Sequence, residues 1–354
     1  MTFEVKVTDY PASADHPALD TPTLKNLLTD IAGVSVGHAD DARLASGVTA
    51  ILFDKPAVAA IDVRGGGPGT REEALLRPES TVEAIDGITL SGGSALGLDA
   101  AGGVQAWLAE QGRGFKIRDA VIPIVPGAIC FDLLNGGDKK WGRFPPYRNL
   151  GYAAAAAAGK DFSLGSVGAG MGATTATLKG GLGSASAETS TGALVAALAV
   201  VNAVGSVTIG DGPWFWAAPF EIDGEYGGRG LPASFIPDML ALRLKGRSAA
   251  TSAENTTIAA VVTDATLTKA QAKRLAMIAQ TGMARAIYPV HAPLDGDVVF
   301  AAATCEKPID PVVGLTELGA VAANVLARAI ARGVFMATAL PFPDALPAWR
   351  DRFG

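Results

Sequence analysis

The C-terminal part of the chain alternates between strand and helix patterns, and this alternation restricts the fold more than any other feature. The segments are, in order, a strand over 256–265, a helix over 268–287, a strand over 297–304 and a helix over 316–333. Thr268 stands at the N-cap position of the first helix and Gly333 at the C-terminal cap position of the second. Strands that alternate with helices are typical of α/β folds, in which helices cover a sheet. The sequence therefore predicts an α/β fold.

The segments before residue 256 carry less regular patterns. We predict strands over 47–53 and 57–66, an extended segment over 120–133, a glycine-rich hairpin or loop system over 166–188, and helices over 91–112 and 151–162. The first of these helices would bury a face made of Leu96, Ala100, Val104 and Leu108. The apolar run over 191–207 fits a buried helix or a buried strand. Residues 1–30 are expected to form an arm, and residues 208–254 a long polar surface excursion.

Composition excludes several classes of protein. The chain has 354 residues, 49% hydrophobic and 18% charged, which suffices for a large core. Its net charge of −6 comes without a basic run, so nucleic acid is not an expected partner. The N-terminus lacks a signal-peptide pattern, and no apolar run reaches the roughly 18 residues of a membrane span, so we expect a cytoplasmic protein with no membrane partner. The two cysteines are too few for a disulfide framework or a zinc cluster.

The glycine-rich motifs do not predict a cofactor. GAGMG at 168–172 lacks the strand–turn–helix context that a dinucleotide fingerprint needs, and GGGPGT at 65–70 lacks the Gly-Lys-Ser/Thr of a P-loop. The motif Asp295-Gly296-Asp297 alone supplies too few ligands for calcium. We therefore expect neither a cofactor nor a metal.

The motif Asn255-Thr256-Thr257 lies between the polar excursion and a predicted strand, and it has two interpretations. Taken alone, it is the polar edge of a strand. In the second interpretation it is an autoproteolytic junction, where the Thr256 hydroxyl attacks the Asn255 carbonyl, an ester forms by an N-to-O acyl shift, and water releases Asn255. The new N-terminal α-amine, with a pKa of about 7.7–8.0, would then act as a general base for the hydroxyl of the same residue.

The scarcity of histidine favours this second interpretation, because an N-terminal threonine needs none. The chain has three histidines, His16, His38 and His291. His38 is interpreted as a structural residue at a turn. His291 stays open as a catalytic residue, although no serine lies in a nucleophile elbow that would serve it.

Four further residues fit around a Thr256 nucleophile, and each also has a structural interpretation. Asp295 and Asp297 would orient its amine, or simply form a turn before the next strand. Lys179 and Asn202 would polarise a substrate carbonyl and stabilise the oxyanion. Otherwise Lys179 is a solvated loop lysine. Asn202, inside an apolar run, needs hydrogen-bond partners in either case.

Eight motifs, taken in order, resemble those of the self-processing P1 peptidases of the DmpA type. They are GVSVGHADD, SGVTAILF, DVRGGGPGTRE, LSGGSALGLDAAGGV, IPIVPGAICFDL, VGAGMGATTATLKGGLGSAS, ENTTIAAVVTDA and RAIYPVHAPLDGDVVFA, and they span roughly residues 30–335. The resemblance implies a four-layer αββα sandwich of the N-terminal-nucleophile type. It also implies a large chain over 1–255 and a small chain over 256–354 that form one intertwined domain, and a tetramer of such pairs. It assigns the nucleophile to Thr256 and active-site roles to Lys179, Asn202, Asp295 and Asp297.

Within this family, the Asn-Thr-Thr motif at the cut and the Asp-x-Asp motif downstream are similar to those of the nylon-oligomer hydrolases. One position departs from that branch, since Phe131 precedes Asp132 where those enzymes carry tyrosine, which weakens the case for polyamide as the substrate. Both residues are candidates for substrate binding. We therefore expect a hydrolase of short peptides or linear ω-amino acid oligomers. The alternatives are an aminopeptidase, with Asp132 or Glu72 receiving the substrate amine, an acyltransferase like the ornithine acetyltransferases, and a binding protein without chemistry.

Overall fold

The computed structural model describes residues 24–236, 238–246 and 255–354. Most of the predicted N-terminal arm and the end of the polar excursion lie outside these residues. The strands of the described part are β1 Val34–Asp41, β2 Ser46–Val63, β3 Thr70–Arg71, β4 Ala84–Ser91, β5 Phe115–Ile117, β6 Ala120–Ile122, β7 Gly127–Ile129, β8 Gly181–Glu188, β9 Leu194–Asn202, β10 Thr256–Ala265 and β11 Val298–Lys307. Its α-helices are α1 Ala100–Glu110, α2 Tyr147–Ala156, α3 Lys269–Ala286, α4 Val313–Phe335 and α5 Trp349–Phe353.

One long strand, β2, joins two halves of a mixed sheet with the order β3-β7-β4-β2-β11-β10-β9-β8, and β1 pairs with β2 beside this path. The sequence predicted two strands here, and both belong to β2, which is interrupted between Leu52 and Ala57 by a register shift and three exposed residues. The first part of β2 pairs with β1 and β4, and the second part pairs with β11. The shift allows the two halves to separate into two layers.

The alternation of side chains along β2 and β10 produces four layers. Ile51 and Phe53 of β2 share a central core with Ile258 and Ala260 of β10, so the two halves of the sheet face each other. The opposite face of β2 packs against α1 and α2 through Val48, Ala50 and Leu52. The opposite face of β10 packs against α3 and α4 through Ala259 and Val261. This is the αββα arrangement that the resemblance implied.

Several sequence predictions are confirmed in detail. The strand over 256–265 matches β10, and α3 begins after Thr268, whose hydroxyl accepts a hydrogen bond from the Gln271 N–H in a capping box. The ambiguous run over 191–207 contains the strand β9, which is apolar up to its last residue, Asn202, because it lies between β8 and β10 and is covered on both faces.

Several predicted helix boundaries are wrong, and the helix predicted over 151–162 covers Tyr147–Ala156. The helix predicted from residue 91 begins at Ala100, after a 3₁₀ turn over Ser94–Asp99 that leaves Leu96 45% exposed. Gly333 does not end α4, which continues to Phe335. A Cβ at Gly333 would lie 2.8 Å from the Gly183 nitrogen, so this glycine instead allows α4 to pack closely on β8.

The polar excursion is only partly a surface feature. Its Phe215 and Tyr226 are buried in the core beside α4, and their rings meet edge to face at 5.5 Å. α4 itself is long and apolar enough to cross a membrane by length and composition, but 72% of its most apolar window is buried in the protein.

Candidate active site

Thr256 begins β10 directly opposite Asn202, the last residue of the antiparallel neighbour β9. Side chains of opposite residues in an antiparallel pair lie on the same face and touch. Both residues are buried, Thr256 at 3% exposure and Asn202 at 0%. The register of two buried strands therefore brings the predicted nucleophile and the predicted asparagine together.

The carbonyl oxygen of Asn255 receives two hydrogen bonds. The Thr256 hydroxyl donates one, and the N–H of Gly296 donates the other at 2.8 Å. A Cβ at Gly296 would lie 2.7 Å from Thr256 Oγ1, so a glycine is needed for the backbone to come this close. An N–H aimed at this oxygen would stabilise the negative charge that develops there when the carbonyl carbon is attacked.

Asp297 uses both of its carboxylate oxygens to hold backbone and histidine groups. Oδ1 accepts the N–H of Thr257 at 2.7 Å, and Oδ2 accepts the N–H of His291 at 3.0 Å and lies 2.8 Å from its Nδ1. The carboxylate therefore anchors the start of β10 at the residue after Thr256. His291, left open by the sequence, contacts Asp297, and no contact with Thr256 is observed in the described residues.

Asp295 is buried with one oxygen unsatisfied. Its Oδ2 accepts the Ala292 N–H at 2.9 Å, whereas Oδ1 has no hydrogen-bond partner among the described residues. Burial, followed by the repulsion of Asp297, raises the pKa of Asp295 to about 7. At neutral pH this carboxyl group is therefore poised to hold or release a proton next to the junction.

Asp295→Asn is expected to stabilise the intact chain more at pH 8 than at pH 5. Because the folded pKa is raised, the folded chain binds a proton between about pH 4 and 7 that the unfolded chain has lost, so stability falls as pH rises through this window. Asparagine does not titrate, and each pKa unit corresponds to roughly 1.4 kcal/mol. In a Thr256→Ala background, thermal melting should show the Asn variant several degrees above its parent at pH 8 and closer to it at pH 5. The exposed Asp54→Asn is the control, and a difference independent of pH would contradict the assignment.

A glycine arm over 65–67 holds the loop that carries both carboxylates. The N–H groups of Arg64 and Gly65 donate to the Asp297 carbonyl at 3.0 and 3.3 Å, and the Gly67 N–H donates to the Asp295 carbonyl at 2.8 Å. A Cβ at Gly65 would lie 2.1 Å from the Asp295 carbonyl oxygen. The GGGPGT motif, which sequence analysis excluded as a phosphate loop, therefore positions the Asp295–Asp297 loop.

Lys179 is a buried residue, and the interpretation as a solvated loop lysine is wrong. Its Nζ donates to the carbonyls of Gly170 and Gly180 at 3.0 and 2.7 Å, and burial lowers its pKa to about 7. No contact between Lys179 and Thr256 is observed in the described ranges.

Asn202 forms hydrogen bonds through both its amide oxygen and its amide nitrogen, and one of its partners is a residue that the sequence did not indicate. Its Oδ1 accepts the Thr174 N–H at 3.0 Å and the Lys245 Nζ at 2.8 Å, and its Nδ2 donates to the Phe131 carbonyl at 2.9 Å. Lys245 lies in the polar excursion, where a single lysine carries no pattern that would distinguish it from a solvated one.

A cavity of about 470 Å³ opens beside these residues. Phe131, Asp132, Lys179 and Lys245 line it, whereas Thr256, Asn202, Asp295 and Asp297 are not among its lining residues. Asp132 accepts the Gly93 N–H at 2.8 Å, and its Oδ2 has no hydrogen-bond partner within the described ranges. Burial raises the pKa of Asp132, and the neighbouring Lys139 opposes this. The two candidate substrate-binding residues therefore do lie in a cavity.

No group of His, Cys, Asp and Glu residues suited to a metal ion occurs in the described part of the chain. The GAGMG segment forms a 3₁₀ turn over Gly168–Gly170 and is followed by loop and strand, so it lacks the helix that cradles a pyrophosphate. Instead, the Gly170 carbonyl accepts the Lys179 ammonium.

Most of the chain matches a known family. The model of peptidase family S58 matches residues 26–345. The chain belongs to peptidase family S58. Membership of this family supports amide hydrolysis as the chemistry of the site, and it confirms the family that the eight ordered motifs indicated.

Relatives of this S58 chain carry two kinds of name. A protein of Mycobacterium tuberculosis described as an uncharacterized aminopeptidase is 43% identical over 347 residues, covering 93% of this chain and 98% of that protein. A 6-aminohexanoate-oligomer endohydrolase of a Kocuria species is 29% identical, covering 86% of this chain and 85% of that protein.

Solved structures support the fold of this S58 chain. The L-aminopeptidase D-Ala-esterase/amidase of Ochrobactrum anthropi, described as a variant of the Ntn hydrolase fold, superposes with a TM-score of 0.67 at 19% identity and covers 92% of both chains. The predicted N-terminal-nucleophile fold is therefore confirmed.

Proposed function

We propose that the chain cuts itself between Asn255 and Thr256 and that the freed Thr256 is the nucleophile of an amide hydrolase. The observation that carries this proposal is the double hydrogen bond on the Asn255 carbonyl, from the Thr256 hydroxyl and from the Gly296 N–H at 2.8 Å. It combines a nucleophile in contact with the carbonyl and a donor for the oxyanion.

The cut proceeds through an ester. Thr256 Oγ1 adds to the Asn255 carbonyl carbon and stops donating to the carbonyl oxygen. The negative charge on that oxygen is stabilised by the Gly296 N–H and, as the proposed second donor, by the amide NH₂ of Asn202 opposite Thr256. The C–N bond then breaks, the hydroxyl proton ends on the departing Thr256 nitrogen, and Asn255 is left esterified to Oγ1. Water hydrolyses this ester, which yields the Asn255 carboxylate and a Thr256 with a free α-amine and hydroxyl.

Turnover of a substrate repeats the same chemistry. The neutral α-amine takes the hydroxyl proton, Oγ1 attacks the substrate carbonyl, and the amine product leaves with that proton. Water then releases the acyl group from Thr256. Asn202, opposite Thr256, is the proposed donor to the oxyanion. Lys179, with its pKa near 7, is the proposed source of positive charge at the cavity.

The two products, residues 1–255 and 256–354, would stay together. β10 lies in the sheet between β9, which precedes the cut, and β11, which follows it. Because β11 also pairs with β2, separation would expose the edges of four strands, β2, β9, β10 and β11, and the cores on both faces of the sheet. We also propose that the protein is cytoplasmic and that it forms a tetramer of such pairs. Light scattering would measure the mass of this assembly in solution.

Intact-mass analysis of the purified chain tests the cut directly. We expect two polypeptides, and N-terminal sequencing of the smaller one should read TTIAA. A single polypeptide with the mass of the whole chain after prolonged incubation would refute the proposal.

For the substrate, the proposal is a short peptide or a linear ω-amino acid oligomer, and the likeness to the Kocuria endohydrolase supports the second. An aminopeptidase is a second candidate with its own support. The aminopeptidase name of the 43% identical relative agrees with it, and Asp132, a buried carboxyl group that lines the cavity, is the proposed receptor for a substrate ammonium group.

Asp132→Asn separates these two candidates. If Asp132 receives a substrate amine, the variant should lose roughly 10-fold or more in kcat/KM on free-amine p-nitroanilides, because a charge-assisted bond is lost. N-acetylated substrates should be poor for the parent enzyme and no poorer for the variant. Equal parent activity on acetylated and free substrates would instead support the endohydrolase.

A further inference from the structure

In the polar segment 208–254, Lys245 lies at the active site, shortly before the junction between Asn255 and Thr256. Its backbone N–H donates to the Val204 carbonyl at 2.9 Å, two residues beyond Asn202. Residues 247–254, which lead from there to the junction, lie outside the description. In the intact chain, the segment that carries Lys245 is thus held at the asparagine that faces Thr256.

The Lys245 ammonium contacts the amide oxygen of Asn202. Nζ donates to Asn202 Oδ1 at 2.8 Å and to the Thr174 carbonyl at 3.2 Å. The Thr174 N–H also donates to Oδ1, whereas Nδ2 donates to the Phe131 carbonyl at 2.9 Å. Two donors contact Oδ1 and an acceptor contacts Nδ2, and together they fix the orientation of the Asn202 amide group.

This orientation matters because Asn202 can stabilise an oxyanion only through its nitrogen. The amide NH₂ carries two hydrogens, and the Phe131 carbonyl uses one, which leaves one for a carbonyl oxygen on the face shared with Thr256. A rotated amide would present an oxygen there and repel the developing charge. A charged donor on Oδ1 holds the productive orientation more firmly than a neutral one and polarises the NH₂ group.

We propose that Lys245 is a positioning residue for self-cleavage, which acts by holding the Asn202 amide with its nitrogen toward the reacting carbonyl. This inference rests on the proposed cut between Asn255 and Thr256.

The charges around Lys245 are compatible with an ammonium group at neutral pH. Burial lowers its pKa to about 8, whereas Asp132 and Asp295 favour its charged form. Burial and the repulsion from Lys245 lower the pKa of the nearby Lys179. Asp132 therefore offsets part of the burial cost of both lysines, and Asp295 part of that of Lys245.

The experiment follows self-cleavage of freshly synthesised full-length chain in a cell-free system at pH 7.5, with intact and cut protein quantified over time. Lys245→Met, which keeps the apolar stem, should cut roughly 10-fold or more slowly than wild type. Lys245→Arg, which keeps charged donors, should recover most of the rate. Lys160→Met removes a lysine that donates to the Val34 carbonyl and should cut at the wild-type rate.

A double-mutant cycle distinguishes positioning from general stabilisation. If Lys245 acts through Asn202, Asn202→Ala combined with Lys245→Met should cut no more slowly than Asn202→Ala alone. The same fold-loss in both backgrounds would overturn the proposal, as would a Lys245→Met chain that cuts at the wild-type rate. If Lys245→Met does not fold, Lys245→Gln replaces it in the same cycle. A wild-type chain that stays whole would overturn the proposed function, and the role of Lys245 with it.

Discussion

Thr256→Ala should leave the chain whole and abolish amide hydrolysis. The substitution removes the hydroxyl that contacts the Asn255 carbonyl and is the proposed nucleophile, so neither the ester nor the free α-amine can form. Loss of a nucleophile that acts together with its base typically lowers kcat by roughly 10⁴-fold or more. Intact mass after days of incubation and release of p-nitroaniline from amide substrates measure the two effects.

Thr257→Val is the matched control for this variant. The Thr257 hydroxyl is buried and has no hydrogen-bond partner among the described residues, whereas the backbone N–H that Asp297 holds is retained in the variant. Valine has the same shape, so this chain should mature and hydrolyse amides nearly as the wild type does. A Thr256→Ala chain that splits, or a Thr257→Val chain that does not, would contradict the assignment of the nucleophile.

Gly65→Ala should block maturation although it replaces no reacting group. The added Cβ would lie 2.1 Å from the Asp295 carbonyl oxygen and 2.4 Å from the Asp297 nitrogen, and real contacts are never this short. The loop must therefore move, and the Gly296 N–H that touches the Asn255 carbonyl moves with it. We expect self-cleavage to slow by roughly 100-fold, because misplacement by about 1 Å has effects of this size. Pulse–chase gel analysis measures the rate.

Gly67→Ala, two residues away in the same arm, is the control for Gly65→Ala. Its Cβ would meet its nearest neighbours, in the same loop, at 3.7–3.9 Å, which is ordinary van der Waals contact. This chain should mature at close to the wild-type rate. Circular dichroism should show that both variants fold. Two alanine variants that both mature at the wild-type rate would show that the arm does not position the Asp295–Asp297 loop, and two equally slow variants would show that the close contact at Gly65 is not the cause.

Secondary structure was predictable where the determining contacts are local. The Thr268 capping box lies within one helical turn, and the β-branched run of β10 has the composition of a strand. Prediction failed where contacts with residues distant in the sequence determine the local structure. Gly333 stands where a glycine typically ends a helix. Its lack of a side chain instead allows α4 to pack closely against Gly183 of β8. The 191–207 run could be assigned only with knowledge of its neighbours in the sheet.

The residues of the candidate site also fall into two groups, those that the sequence predicts and those that only the fold reveals. Thr256, Asn202 and the two aspartates were predicted, and the structure brings Asn202 and the aspartate loop to Thr256. Lys179 lies at the wall of the cavity with Asp132, and no contact with Thr256 is observed among the described residues. Lys245, the glycine arm and the Gly296 N–H were not predicted, because a single lysine, three glycines and a backbone group carry no chemical signature of their own.

The α/β class, the family and the candidate nucleophile follow from the amino-acid sequence, because periodicity, caps and ordered motifs are properties of the chain. The fold is needed to show that the Asn255 carbonyl lies between the Thr256 hydroxyl and the Gly296 N–H, and that Lys245 contacts Asn202. The contacts of Gly296 with Asn255 and of Lys245 with Asn202 join residues about 40 positions apart and depend on strand register and loop closure. They form only when the burial of whole strands aligns β9, β10 and β11, and no local pattern encodes the resulting distances.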